Sequence, residues 1–262
     1  MRQRLSSVGR VFLLLQNWWV WFAMRFKFAK GEYVFYKLRN GITFKIPVRS
    51  SDALIFNDLW LARVYETPLI RWHSAKTVID IGGHIGFFAL LAASGAPDAT
   101  VYAFEPEPQN FRLLQDNIRL NGMEKRIIAT QEGVAGTAGH LRLNVLPHQG
   151  ACHSMFRQTD KSYGIEIPTV RLQDIFERYA ISHCDYMKVN CEGAEYDMYY
   201  GLPDEIYRKI TAMVINYHFF SPDPRHRPDV LRTHLESKGC RVEKEDGANV
   251  FFAVREGSMQ HA

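Results

Sequence analysis

The chain has 262 residues, 47% of them hydrophobic, with 32 Lys and Arg against 28 Asp and Glu, a net charge of +4 and a pI near 8.8. That length supports one large domain, or one domain with a small appendage, and the apolar fraction fills a sheet covered by helices on both faces without disulfide staples. The charge excess is small and holds no dense Lys/Arg tract, so no nucleic-acid partner is expected, and four scattered cysteines without a C-x-x-C pair read as free thiols of a reduced, cytoplasmic protein.

Residues 11–24, VFLLLQNWWVWFAM, predict the first helix, with Arg2, Arg4 and Arg10 before it and Arg25, Lys27 and Lys30 after it. The 14-residue run falls short of the roughly 20 that a spanning helix needs. No small-residue cleavage site marks a removed signal peptide. Two readings stand. One is a helix docked on the rest of the chain, covering a sheet edge or a homodimer contact; the other is an interfacial helix whose tryptophans and basic flanks, residues 11–28, rest on the inner face of a membrane. The docked helix is preferred. Residues 33–47 then alternate around Asn40-Gly41, which predicts a β-hairpin. Residues 52–65 predict a helix with Leu54, Ile55, Leu59, Leu61 and Val64 on one face.

Residues 77–105 predict a strand, a glycine turn, a helix and a second strand. TVIDI is compact and β-rich, Gly82, Gly83 and Gly86 punctuate the turn, 85–93 is apolar on nearly every side, and Glu105 closes the strand 101–104. Such a unit suits a nucleotide: glycines admit the ligand, the helix N-terminus offers N–H groups, and the acid accepts hydrogen bonds from ribose hydroxyls. The turn lacks the G-x-G-x-x-G dinucleotide fingerprint. Instead Asp80 stands two residues before Gly82, where a carboxylate repels pyrophosphate and suits a ligand carrying an ammonium and a sulfonium. An acid followed by a Gly-x-x-x-Gly turn resembles the first motif of class I S-adenosylmethionine-dependent methyltransferases. The resemblance implies an α/β, Rossmann-like fold with a seven-stranded, mostly parallel sheet and helices on both faces. It implies S-adenosylmethionine as cofactor, held by Asp80, Gly82, Gly83, His84, Gly86 and Glu105. It also implies that residues 1–70 form a lid-like lead-in to a cofactor-binding domain over 71–262, with Asp52 and Tyr65 as candidates for the substrate side or, more plainly, for packing. His84 stands where related chains carry His or Asn, so turn geometry is its expected role.

After Pro106-Glu107-Pro108, residues 109–120 predict a helix stopped by Asn121-Gly122, and 126–130 predict the third strand. In this fold the following loop meets the adenine, so Gln131 or Glu132 is a candidate for the exocyclic amine, a task the loop backbone can share; Glu132 is taken as the cofactor contact. Residues 141–146 and 166–170 predict a β-ribbon, 171–179 a helix, 186–190 a strand, and Glu192-Gly193-Ala194-Glu195 the opening of the next helix. The stretch DYMKVNCEGAE, residues 185–195, resembles the K-I-D-V-E-G-A-E signature of FkbM-type methyltransferases. That resemblance implies O-methylation of a hydroxyl on a sugar, glycolipid or other small natural-product acceptor. GACHSMF, residues 150–156, is similar to the family's Ser-containing segment, which places His153 and Ser154 on the acceptor side. Lys188 joins them as a substrate candidate, with pairing to a carboxylate as its plainer role.

Two positions depart from the family pattern. Asn190 stands where the family has Asp, and the Glu-x-His expected at the end of the fifth strand, 211–218, reads Asn216-Tyr217-His218. Amides position a hydroxyl but take no proton, so both a general base and a divalent-metal site are weakened, and no metal is expected. Methyl transfer is an in-line displacement helped mostly by alignment, yet a hydroxyl nucleophile must shed a proton. Glu192 and His218 are the candidate bases, with Asn190 beside them, because both fall at carboxyl ends of adjacent strands. A helix-capping role competes for Glu192 and an ordinary strand-end role for His218. The alternatives are a cofactor-binding protein without turnover, motivated by Asn190 and Asn216, and an RNA or protein methyltransferase, disfavoured because no Asn/Asp-Pro-Pro-Tyr motif or basic appendage is present. Residues 228–237 predict the last helix, and 241–245 with 249–254 a closing hairpin across Asp246-Gly247.

Overall fold

The computed structural model describes residues 7–68, 70, 72–145, 163–218, 221–245 and 248–257. Two short helices open it, α1 (Ser7–Leu14) and α2 (Trp18–Arg25), where the apolar run predicts one. Neither proline nor glycine separates them. The break is made by the hairpin β1 (Tyr33–Lys37) and β2 (Thr43–Pro47). Gln16 N–H donates to the Lys37 carbonyl at 2.8 Å and Arg39 N–H to that of Leu14 at 2.9 Å. The Asn17 side chain donates to the Phe35 carbonyl at 2.8 Å and accepts from Lys37 N–H at 2.9 Å. Leu15 N–H keeps its helical bond to the Val11 carbonyl at 2.9 Å, while tertiary hydrogen bonds take over at the Leu14 carbonyl and the Gln16 N–H.

The predicted helix over 52–65 is α3 (Asp52–Phe56) followed by a π-helical turn, Asn57–Ala62, which ends at Arg63 with φ of 59°. Next come β3 (Thr77–Ile81), α4 (Phe87–Gly95), β4 (Thr100–Phe104), α5 (Pro108–Leu120) and β5 (Ile127–Thr130), each within two residues of its sequence-based bounds. A small separate sheet follows, β6 (Gly133–Val134), β7 (Gly139–Val145) and β8 (Tyr163–Val170), in the order β6-β8-β7. The chain then forms α6 (Leu172–Arg178), β9 (Cys184–Val189), α7 (Glu195–Tyr200), α8 (Asp204–Lys209), β10 (Ile210–Asn216), α9 (Pro228–Ser237), β11 (Cys240–Lys244) and β12 (Val250–Arg255). Helix α8 is absent from the sequence reading, and the turn at Asp246-Gly247 lies outside the described residues.

Seven strands form the main sheet in the order β11-β12-β10-β9-β3-β4-β5, with β12 antiparallel to both its neighbours and every other pairing parallel. The chain leaves β3 toward β4 on one side and returns to β9 on the other, which opens a crevice at the carboxyl ends of these strands. Alternation along each strand sorts two cores. Val78, Val101, Tyr186 and Val214 pack with α4, α5 and the N-terminal hairpin; Ile79, Phe104, Met187 and Met213 pack with α6 to α9.

The N-terminal elements belong to the first of these cores. The Phe44 ring lies 5.3 Å from Trp60 and 5.0 Å from Phe87, and Trp60 Nε1 donates to the Phe87 carbonyl at 3.1 Å. Two asparagines, Asn117 on α5 and Asn121 at its C-cap, fasten the hairpin edge: Lys45 N–H donates to Asn117 Oδ1 at 2.7 Å and Thr43 N–H to Asn121 Oδ1 at 2.8 Å. The wall in front of the crevice is therefore anchored by packing and by satisfied backbone groups.

Candidate active site

A cleft of about 520 Å³ opens over the carboxyl ends of β3, β4, β9 and β10, within the range of ordinary small-molecule sites. Leu59 and Tyr65 line it from the lead-in, Gly82, Gly83 and His84 from the glycine turn, Glu105 from β4, Ile167 and Thr169 from the small sheet, and Asn190, Glu192 and Asn216 from β9 and β10. Two glycines are required by backbone and space. Gly82 has φ of 76° and a Cβ there would sit 1.9 Å from the Asn190 carbonyl oxygen. Gly86 has φ of 95° and its Cβ would meet Leu114 at 2.9 Å, so it faces α5 instead of the cleft.

Asp80 takes a different place from the one the sequence suggests. It shares a face of β3 with Val78, and the β3–β9 register sets it opposite Lys188. Lys188 Nζ lies 3.0 Å from Asp80 Oδ1 and also donates to the carbonyls of Ile81 at 3.1 Å and Gly82 at 2.5 Å. Both side chains are buried, and Asp80 is outside the cleft lining. The expectation that Asp80 faces the ammonium of a ligand is corrected: it holds Lys188, and Lys188 holds the turn. Lys188 borders the cleft, but its ammonium is committed to these partners and is not offered to substrate.

Glu105 is buried at the cleft floor. Its Oε2 accepts the His84 N–H at 2.7 Å and its Oε1 the Glu107 N–H at 2.9 Å. Burial raises its carboxyl above the ordinary value, against the pull of His84 and these two N–H groups. His84 itself has φ of 51°, and its Nε2 lies 3.1 Å from Asp52 Oδ1. Burial depresses the imidazole, but the charge and hydrogen bond of Asp52 more than offset that, and the net displacement is upward. Asp52 thus ties α3 to the glycine turn rather than facing substrate.

Glu132, expected against the adenine, is outside the cleft. Arg178 on α6 grips both its carboxylate oxygens. The residues after it, Gly133, Val134 and Ala135, line the cleft instead, so this wall offers backbone and apolar surface rather than a carboxylate.

At the end of β9, Asn190 N–H donates to the Ile81 carbonyl at 3.0 Å, while its Oδ1 is buried with no partner among the described residues. Beyond it the chain turns sharply, with Glu192 at φ of 55° and Gly193 at 111°. Helix α7 begins only at Glu195, so the helix-capping reading of Glu192 is set aside. Glu195 is fully buried and accepts the N–H groups of Cys191 at 3.2 Å and Gly193 at 2.8 Å. Its Oε1 also meets His218 Nδ1 at 2.9 Å, and His218 Nε2 reaches Glu192 Oε1 at 3.5 Å. A carboxylate, an imidazole and a second carboxylate stand in line, and of the three only Glu192 lines the cleft.

The titration of this row follows from its geometry. Burial pushes Glu192 up to about 7, against the attraction of His218. Burial depresses His218, but the hydrogen bond and charge of Glu195 more than offset that and leave it raised. His218 is placed behind Glu192 rather than in the cleft, which corrects its reading as a direct base. The sequence reading missed Glu195; its one signal is the second acid of the CEGAE stretch. Asn216 lines the cleft and shares a hydrogen bond with the Tyr65 hydroxyl. His153 and Ser154 lie outside the described residues. No group of three or more His, Cys, Asp or Glu among the described residues is arranged to hold a metal ion.

The family model for the methyltransferase FkbM domain matches residues 80–242. Methyltransferase sdnD of Sordaria araneosa is 24% identical over 220 residues, covering 73% of this chain and 83% of that protein. Methyltransferase 1 of Beauveria bassiana is 27% identical over 187 residues, covering 64% and 73%. The 31-O-demethyl-FK506 methyltransferase FkbM of Streptomyces tacrolimicus is 25% identical over 211 residues, covering 70% and 80%.

Proposed function

The chain belongs to the FkbM methyltransferase family, and from that premise we propose that it transfers the methyl group of S-adenosylmethionine to a hydroxyl of a carbohydrate or other small acceptor. The observation that carries the proposal is Glu192, a cleft-lining carboxylate raised to about 7 and backed by His218 and Glu195. The chemistry of the cleft suits a cationic nucleoside. Asp58, Glu105 and Glu192 line it, while Lys188, the one lysine among the described lining residues, is paired with Asp80, so the local charge favours an ammonium and a sulfonium over a pyrophosphate. Glu105 would take the ribose hydroxyls, since each of its oxygens already holds one N–H and keeps further acceptor capacity toward the cleft. The backbone of Gly82 and Gly83 and the wall of Gly133, Val134 and Ala135 would hold the rest. When bound, S-adenosylmethionine supplies an electrophilic methyl carbon.

The chain's own residues do the remainder. Glu192 accepts the acceptor's hydroxyl proton at a carboxylate oxygen, and with its pKa about 7 the basic form is well populated at neutral pH. His218, steadied by Glu195, sets the position of that carboxylate and compensates its charge. The amides of Asn190 and Asn216 orient the hydroxyl without competing for its proton. The side chains of Leu59, Tyr65 and Phe87 line the cleft and help keep water from it. The hydroxyl acceptor also draws support from the Streptomyces relative, which is named for methylating an O-demethyl compound.

The test is incubation with S-adenosylmethionine and a panel of hydroxylated acceptors, reading formation of S-adenosylhomocysteine, with titration calorimetry of the cofactor on the same sample. Product that disappears in Glu192→Gln supports the proposal. Cofactor binding with no product across the panel favours a binding protein without turnover, and no cofactor heat at all overturns the reading.

A further inference from the structure

The N-terminal helices expose an aromatic surface that the chemistry in the cleft does not use. Phe12, Trp18, Phe22, Phe26 and Phe28 form an unbroken run of ring contacts with centroids 4.9 to 6.5 Å apart, crossing from α1 over α2 to the residues beyond it. Phe28 is 76% exposed, Leu13 64%, Phe26 59% and Trp19 58%. Seven of the thirteen exposed large hydrophobics among the described residues lie between positions 8 and 28, so this is a contiguous patch and not scattered surface. The opposite side is fastened to the protein. Val11, Leu15 and Trp21 are buried, Trp21 Nε1 donates to Asn57 Oδ1 at 2.8 Å, and Arg10 donates to the Leu61 carbonyl.

We propose that this face docks on an anionic lipid bilayer surface. The first 31 residues carry six Lys and Arg and no Asp or Glu, so the remaining 231 residues carry a net charge of −2 against +4 for the whole chain. Aromatic rings with tryptophans among them, flanked by Arg25, Lys27 and Lys30, match a headgroup layer: the rings enter the boundary and the cations meet lipid phosphates. A second copy of the chain fits poorly, because a two-fold contact would bring two uncompensated basic clusters together. Spanning is excluded by length. Each helix has 8 residues, about 12 Å, against a hydrocarbon core of about 30 Å, and no helix among the described residues is long and apolar enough to cross. The surface bears on the cleft, because the π-helical turn that receives Trp21 and Arg10 also sends Asp58 and Leu59 into the cleft wall.

The test is flotation of the full chain with vesicles of phosphatidylcholine alone and of phosphatidylcholine mixed with phosphatidylserine. The expected result is binding to the mixed vesicles, weakened by salt, and lost by about tenfold or more in the double variant Trp19→Glu, Phe28→Glu. Both side chains are exposed, so the variant keeps its melting temperature and its affinity for S-adenosylmethionine, which separates failure here from failure of the catalytic reading. The proposal is overturned by equal binding of wild type and variant, by no binding to either vesicle, or by a concentration-dependent dimer that the variant converts to monomer.

Discussion

Glu105 and Glu192 follow two strands of one sheet, line one cleft, and are both pushed upward by burial, yet the protein holds them in opposite ways. Glu105 closes β4, and both its oxygens are held by backbone N–H groups at 2.7 and 2.9 Å. Glu192 follows β9 in a left-handed turn, and His218 Nε2 stands 3.5 Å from its Oε1. The first is a carboxylate fixed at both oxygens, the arrangement the proposal gives to a receptor for ribose hydroxyls. The second is a carboxylate raised to about 7 and held at φ of 55°, an uncommon backbone conformation of the kind that marks functional positions. Backbone donors freeze one acid, and an adjustable imidazole poises the other.

The comparison breaks most visibly if the two acids are neutralised in turn. Glu192→Gln is expected to lower kcat by about 10²- to 10⁴-fold, the usual worth of a positioned general base, with cofactor affinity unchanged by calorimetry. Glu105→Gln is expected to do the reverse: about a 10- to 100-fold loss of cofactor affinity from weakened charge-assisted hydrogen bonds, with kcat at saturating cofactor little altered. If Glu105→Gln instead removes turnover and spares affinity, the division of labour between them is wrong.

A smaller effect separates them in stability. Glu192 is raised from its ordinary 4.5 to about 7 in the folded state. Between those values the native chain binds more protons than the unfolded one, so this group's contribution to stability is present below pH about 4.5 and is lost as pH rises through about 7. Glu192→Gln removes that loss. It should melt with wild type at pH about 4.5 and exceed it by ~1–3 kcal/mol above pH 7, the upper figure being the full shift and the lower allowing for the lost attraction to His218. Denaturant unfolding at the two pH values measures this, and a variant less stable than wild type at pH 8 would show that Glu192 is structural.

The glycine turn and the strand-ending acid are legible in the sequence because they are local: one β–α–β unit carries both, and β3, α4 and β4 fall within two residues of their predicted bounds. The Asp80–Lys188 pair is not, because it needs the knowledge that β3 and β9 are neighbours in a register that sets those two residues opposite each other, 108 positions apart. Glu195 is hard to read from sequence for a related reason, since its partner His218 arrives 23 residues later, just beyond β10. Glu132 shows the reverse error. Its position in the loop after β5 is right, but a two-residue strand turns the backbone of Gly133 and Val134 to the cleft and leaves the carboxylate to Arg178. The break between α1 and α2 has one local sign, Asn17, whose side chain is met by hairpin groups that the sequence does not place beside it.

The finest test asks whether His218 adjusts Glu192 or replaces it. In wild type, kcat/KM should rise with pH through about 7 as Glu192 loses its proton. His218 pulls that value down by its positive charge, and Glu195 pushes it up by its negative one. His218→Gln removes the cation and leaves the buried Glu195 uncompensated; both changes favour the protonated acid, so the limb should move to higher pH by about one unit, worth ~1.4 kcal/mol. Were His218 the base, the limb would vanish rather than move, and activity would fall at every pH. A displaced limb with near-normal rates above it keeps Glu192 as the proton acceptor and assigns His218 to its support.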